Sequence, residues 1–444
     1  MRKQILKAVG PLLAAFFLVG ALLFSPLNRA HKYTSKELDS FAISMQKGIF
    51  ISETIKRQVF SNKKYLPLMG SSELSRFDPF HPSILAKKYN RDYTPFLIGS
   101  VGTQSLTHYF YLNELGKEIA NRKVVFVISP QWFECKKNKQ GKIVSKGIAK
   151  EAFAEFVSME GIYQWTKSAE PSNVQTQFLA RRLLEFPSIN RSDNMKELLI
   201  SLGKGDKPAK YLQFYNNFQY FFTKAEDSLF EKEAMSMSVG IKLFEYLFQK
   251  QISPISTVNV KQMKKKLPAN YDNRELDSLA YQMGKEESSQ NSFWINNKFY
   301  NKNIRSKIKE YKNFQAKTSY LHGIEYNDFQ LLLNLFAKNN NDVLFIIQPV
   351  NQRWAKHSGL RQSMLEEFAS KIKRQLNSQG FNNVVNYVDR GVEPYFMNDA
   401  IHLGKRGWVA LDQDITKFLK SKSKPGKYKI NNKKFLSTKW LDED

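Results

Sequence analysis

The chain has 444 residues, enough for a large α/β domain with insertions or for two domains. Lysine and arginine number 68 against 41 acidic residues, a formal net charge of +27 that favours an anionic partner: nucleic acid, a membrane surface or an anionic polymer. With 42% hydrophobic and 14% aromatic residues this is no disordered basic tail, and a lone cysteine, Cys135, excludes an intrachain disulfide or a cysteine-rich zinc or iron–sulfur site.

Residues 8–24 (AVGPLLAAFFLVGALLF) carry no charge and follow Arg2, Lys3 and Lys7. That pattern predicts a single N-terminal transmembrane helix within 1–30, with the N-terminus cytoplasmic and the rest of the chain outside the cell. The alternative, a cleaved signal peptide, is disfavoured because Asn28-Arg29-Ala30 is a poor small-x-small cleavage site. No second apolar stretch of membrane-spanning length follows, so residues 31–420 read as an extracytoplasmic domain. In that compartment teichoic acids and anionic lipids replace nucleic acid as the expected polyanion.

Short apolar runs that end in small or turn residues predict buried parallel strands. They are 65–69 before Gly70-Ser71-Ser72, 95–98 before Gly99-Ser100-Val101-Gly102, 123–128 before Ser129-Pro130-Gln131-Trp132, 343–347 before Gln348-Pro349, and 384–388 before Asp389. Helical patterns at 106–121 and 361–376 lie between them, so a mostly parallel sheet with helices on both faces is expected. Ligands in such sheets bind beyond the carboxyl ends of the strands. The stretch from about 150 to 340 is rich in Phe, Tyr, Lys and Asn, with helical runs at 149–167, 174–186, 210–224 and 226–250, and reads as a helical insertion. Between 417 and 439 nine lysines occur without an acidic residue, so 421–444 reads as a basic tail, either solvated or in contact with a polyanion.

Gly70-Ser71-Ser72-Glu73 follows a strand, so a serine there can project from a strand-to-helix turn with its own amide available to an oxyanion. By itself such a turn is more often structural. Asn398-Asp399-Ala400-Ile401-His402 places a carboxylate and an imidazole three residues apart before a final helix with Trp408, Leu411, Ile415 and Phe418. Asp399 can fix one ring nitrogen while the other faces a hydroxyl; the plainer reading is a helix cap with an incidental histidine. Ser100 and Ser129 match no nucleophile motif, His108 and His357 read as structural or surface residues, and Cys135 reads as a small buried hydrophobe. Six scattered histidines supply no metal cluster, and neither metal nor cofactor is expected.

A strand-end Gly-x-Ser, a glycine after the next strand and Asp-x-x-His before the last helix are similar to the SGNH/GDSL hydrolase arrangement. MGSSELSRFDPFHPS at 69–83, VISPQWF at 127–133 and NDAIHLGKRGW at 398–408, behind one N-terminal anchor, closely resemble the DltD family, which works in D-alanylation of teichoic acids in Gram-positive bacteria. The resemblance implies Ser72 as nucleophile, with Ser71 as fallback, His402 as base and then acid, and Asp399 as its orienting partner. It also implies the amides of Ser72 and Gly102 as oxyanion donors. Gln131 stands where SGNH enzymes usually present an asparagine. Ser71, Glu73, His81 and Trp132 are candidates to line the pocket. Implied partners are lipoteichoic acid, a membrane-bound O-acyltransferase, a small membrane peptide and the D-alanyl carrier protein. The expected activity is serine acyl transfer to lipoteichoic acid through a D-alanyl-serine ester; the alternatives are a D-alanyl thioesterase or esterase and a noncatalytic tether for teichoic acid.

Overall fold

The computed structural model describes residues 32–138, 143–221, 223, 258–421 and 425–443. The expected anchor at 8–24 lies outside these residues, and among the described ones no helix is long and apolar enough to cross a membrane.

The described residues form seven strands: β1 (Tyr65–Met69), β2 (Thr94–Ile98), β3 (Lys123–Ile128), β4 (Cys135–Lys137), β5 (Ile143–Ser145), β6 (Asp342–Ile347) and β7 (Val384–Asn386). Five of them make one sheet, order β2-β1-β3-β6-β7, every pairing parallel, as the apolar runs predict. Both faces of this sheet are covered, which is why its strands are apolar at successive positions rather than at alternate ones. Leu66, Leu68, Val125, Val127, Leu344 and Ile346 enter one core; Met69, Val124, Phe126, Ile128, Phe345 and Ile347 enter the other. The first core is closed by helices α1 (Pro82–Lys88) and α5 (Lys405–Lys420). The second is closed by α2 (Ser105–Leu115), α3 (Glu325–Lys338) and α4 (Gln362–Asn377). In α5 the residues Trp408, Leu411, Ile415 and Phe418 recur every three or four positions, the spacing that places them on the sheet side.

Local chemistry trims several expected elements. The helix predicted over 106–121 stops at Leu115 because Gly116 takes φ +55°, and a 3₁₀ turn, Gly116–Ile119, follows. The last strand shortens to Val384–Asn386 before another 3₁₀ turn. The antiparallel β4–β5 hairpin has no counterpart among the sequence expectations, since three-residue strands bearing lysines give no periodic signal. Between 150 and 303 the described residues form helices at Lys150–Phe156, Met159–Lys167, Val174–Leu183, Asp193–Lys204, 210–221, Val260–Lys265, Asn273–Glu287 and Asn297–Asn303, and 304–324 is mostly turns. The run expected at 226–250 lies outside the described residues. Helix α3, which closes the stretch, packs against α2 and the sheet as a crossover to β6.

Beyond α5 the chain folds back onto the domain. Trp440 is buried, edge-on to Tyr326 and Phe435, and its Nε1–H donates to Gln375 at 3.3 Å. Lys427, Lys429, Lys433, Lys434 and Lys439 remain exposed around this aromatic anchor. A charge count registers those lysines and overlooks the single tryptophan that ties the segment down.

Candidate active site

The strand order reverses at β1, which has β2 on one side and β3 on the other, and crevices beyond the carboxyl ends of strands at such a switch point bind ligands. Gly70-Ser71-Ser72 leaves β1 there. A Cβ on Gly99, at the end of β2, would lie 2.3 Å from the Gly70 carbonyl oxygen, so the two turns approach too closely for a side chain. The Gly70 carbonyl is 3.0 Å from the Thr103 hydroxyl and 2.8 Å from His108 Nε2, which together hold the turn from the α2 side. Ser71 is buried, and its amide donates to Glu73 Oε1 at 2.5 Å. Ser72 opens a short 3₁₀ turn, Ser72–Ser75, and is half-buried.

Across the crevice the loop before α5 delivers His402. Its Nε2 lies 2.9 Å from Ser72 Oγ, and its Nδ1 lies 2.8 Å and 2.9 Å from the two carboxylate oxygens of Asp399. Asp399 Oδ1 also accepts from the amides of Ile401 and His402 at 3.0 and 3.1 Å. Burial alone would raise the Asp399 carboxyl; its bonds to His402 and to the Ile401 amide, with Arg76 nearby, hold it below the ordinary carboxylate value. Residues 330 positions apart thus meet in a Ser–His–Asp constellation able to take a proton from a hydroxyl and stabilise the resulting imidazolium.

Among the described residues neither the Ser72 amide nor the Gly102 amide donates a backbone hydrogen bond, which leaves both free for an oxyanion. Gly102 has φ +88°, and its turn is tied to the Gly70–Ser72 turn through Thr103, whose hydroxyl accepts from the Ser100 amide at 3.1 Å. Gln131 lies in the 3₁₀ turn after β3, and its buried Oε1 has no hydrogen-bond partner. Glu73 is wholly buried beside Ser72; burial raises its carboxyl, partly offset by the amides it accepts from and by His402.

Two residues considered for the pocket wall lie beneath it. His81 is buried between Phe77 and Trp408, with ring centroids at 4.4 and 4.7 Å, and its Nδ1 accepts from the Ser83 amide at 3.2 Å, capping α1. Burial pushes its imidazole down to about 3. Trp132 packs into the core against Phe126, 5.9 Å between ring centroids.

The cleft beside His402 is instead walled in part by the end of the insertion and in part by the segment after β6. Its volume is about 280 Å³, and Phe299, Tyr311, Phe314 and Trp354 line it together with Arg76 and Ile401. Sequence reasoning also passed over Gln348, at the end of β6, whose side-chain amide donates to Ser129 Oγ at 2.6 Å and to the Ile401 carbonyl at 2.8 Å, tying two strand ends to the histidine loop. His108, read as structural or surface, is buried and supports the turn after β1. Arg76 had one usable signal: it lies four residues after Ser72 in the same turn segment.

Fold and site together define the class: an α/β protein with a Ser–His–Asp constellation at the switch point of a parallel sheet. The family model described as DltD protein matches residues 42–420. A curated relative named Protein DltD from Lacticaseibacillus rhamnosus is 38% identical over 99% of this chain and 97% of its own length. Proteins of the same name from Bacillus subtilis (strain 168) and Staphylococcus aureus (strain NCTC 8325 / PS 47) are 27% and 26% identical, over 93% and 94% of this chain and 97% and 95% of theirs. The chain belongs to the DltD family.

Proposed function

We propose that this protein is a serine acyltransferase of teichoic acid D-alanylation, tethered by residues 8–24 with its α/β domain outside the cell. The observation that carries this reading is the unbroken contact chain from Ser72 through His402 to Asp399. Ser72 Oγ attacks the carbonyl carbon of an activated D-alanyl donor as its proton passes to His402 Nε2. The oxyanion is met by the Ser72 and Gly102 amides, with the Gln131 side chain as a third donor. The bond to the donor's leaving group breaks, and that group takes the proton from His402. A hydroxyl of lipoteichoic acid then gives its proton to His402 and attacks the D-alanyl ester, and Ser72 departs with that proton. Water in place of the polymer hydroxyl makes the same machinery an esterase. In this reading a membrane-bound O-acyltransferase and a small membrane peptide supply the acyl group, which originates on the cytoplasmic D-alanyl carrier protein.

A second reading, a noncatalytic tether for teichoic acid, draws on a groove lined by Lys88, Lys261, Lys264 and Lys265. The two readings separate in one experiment. Peptide mass spectrometry after treatment with a serine-directed fluorophosphonate is expected to find one adduct on peptide 69–83, absent in Ser72→Ala and at least about 100-fold slower to form in His402→Ala. A folded protein that takes up no adduct, and sustains D-alanylation as Ser72→Ala, is the tether.

A further inference from the structure

We infer that Arg76 is the acceptor-recognition residue of this site, binding a phosphodiester on the carbon next to the attacking hydroxyl. The inference rests on the teichoic acid reading above for the identity of the acceptor, and on the geometry of the cleft for the residue. Arg76 Nε stands 3.6 Å from Asp399 Oδ2, an ion-pair distance longer than a hydrogen bond, and this buried nitrogen has no hydrogen-bond partner. Asp399 is already committed through both oxygens to His402 and through Oδ1 to two amides. The guanidinium, with its side chain 34% exposed, therefore keeps donors to spare at the mouth of the cleft.

Its surroundings select the charge and shape of what it meets. The guanidinium carbon lies 5.9 Å from the centroid of the Phe299 ring, and Tyr311 and Trp354 continue the wall. Asp399 is the one carboxylate lining the cleft among the described residues, so an incoming anion meets little repulsion. A planar fork beside aromatic rings suits the paired oxygens of a phosphodiester better than a lysine ammonium does. In a 1,3-linked glycerol phosphate chain each free hydroxyl lies between two such diesters, whose methylene groups suit the aromatic wall. Water brings no anion to Arg76. The residue thus favours transfer over hydrolysis by holding the polymer hydroxyl where the acyl-serine carbonyl will be.

Isothermal titration of the full-length chain in detergent tests this, in a Ser72→Ala background so that no acyl chemistry intervenes. The probes are glycerophosphoglycerol, glycerol and propionate. The diester is expected to bind at least about 10-fold more tightly than glycerol or propionate when Arg76 is present. Arg76→Gln should erase that preference, and Arg76→Lys, which keeps the charge but not the fork, should retain part of it. A diester no tighter than glycerol, a preference that survives Arg76→Gln, or propionate binding as well as the diester would each overturn the assignment. Should Arg76→Gln fold poorly, Arg76→Lys carries the comparison, and a preference equal to that of the unchanged residue overturns the role of the fork. Failure of the teichoic acid acyltransferase reading shows elsewhere, as an intact diester preference in a chain whose Ser72 takes no fluorophosphonate.

Discussion

Glu73 occupies an awkward place for a carboxylate: wholly buried, one oxygen accepting the Ser71 amide and the other without a partner. An acceptor is needed there to keep the amide before the nucleophile satisfied, and a glutamine would still provide one. Glu73→Gln is therefore expected to keep the rate of fluorophosphonate labelling at Ser72 within about 3-fold. Glu73→Ala, which strands the amide at a cost of about 1–3 kcal/mol, should slow it by about 10-fold or more. At this scale Ser72, Asp399 and His402 were legible through the resemblance of their short segments to a family pattern, since each segment by itself also admits a plain structural reading. Gln348 and His108 gave no such signal, and Arg76 only its nearness to Ser72, since each acts on a partner brought near by folding: Gln348 reaches a carbonyl 53 residues away, and His108 one 38 residues away.

Strand ends and their turns carry the site, so the elements are best probed where they touch. Gln348 joins β3 and β6 to the loop bearing His402. Gln348→Ala is expected to lower stability by about 1–3 kcal/mol in denaturant titration, and to lower labelling of Ser72 at a denaturant concentration where the variant is still folded. A variant that loses stability but labels at the parental rate would limit Gln348 to a structural role. Gly99→Ala forces a methyl against the Gly70 carbonyl at 2.3 Å, so it should both destabilise the chain and displace Ser72, read as a lower midpoint together with slower labelling. The sheet was legible because its strands are buried on both faces and read as continuous apolar runs. The cleft wall was not. Phe299, Tyr311 and Trp354 come from separate segments whose spacing says nothing of their meeting.

Across the whole molecule, buried ionisable groups set opposing pH slopes. Glu325 is pushed up to about 8 by burial, with Asp328 adding to the effect, from an ordinary value of 4.5. A raised folded value favours the protonated form, so its stabilising contribution is complete below about pH 4.5 and is lost as pH climbs toward 8. Glu325→Gln is expected to raise the melting temperature at pH 8 by more than at pH 5, and an equal shift at both would refute this assignment. His81 and His108 are lowered by burial to about 3 and about 4, so each contributes stability above the ordinary value of 6.5 that is lost as pH falls through the folded value. In that window each costs roughly 1.4 kcal/mol per pH unit. The lysine-rich end of the chain was read from charge, yet Trp440 sits in the core. Trp440→Ala should destabilise the domain by about 3–5 kcal/mol in denaturant titration.

The 330 positions between Ser72 and His402 also order events in time. Synthesis runs from the N-terminus, so the serine is made early, while its histidine partner arrives only after β6, β7 and the whole helical stretch have been produced. On the acyltransferase reading proposed above, the nascent chain therefore carries an unarmed hydroxyl during its synthesis. The same reading expects products that end before residue 402 to take no fluorophosphonate at Ser72. Reactivity on that reading belongs to a nearly finished molecule, whose last segment is held by the buried Trp440.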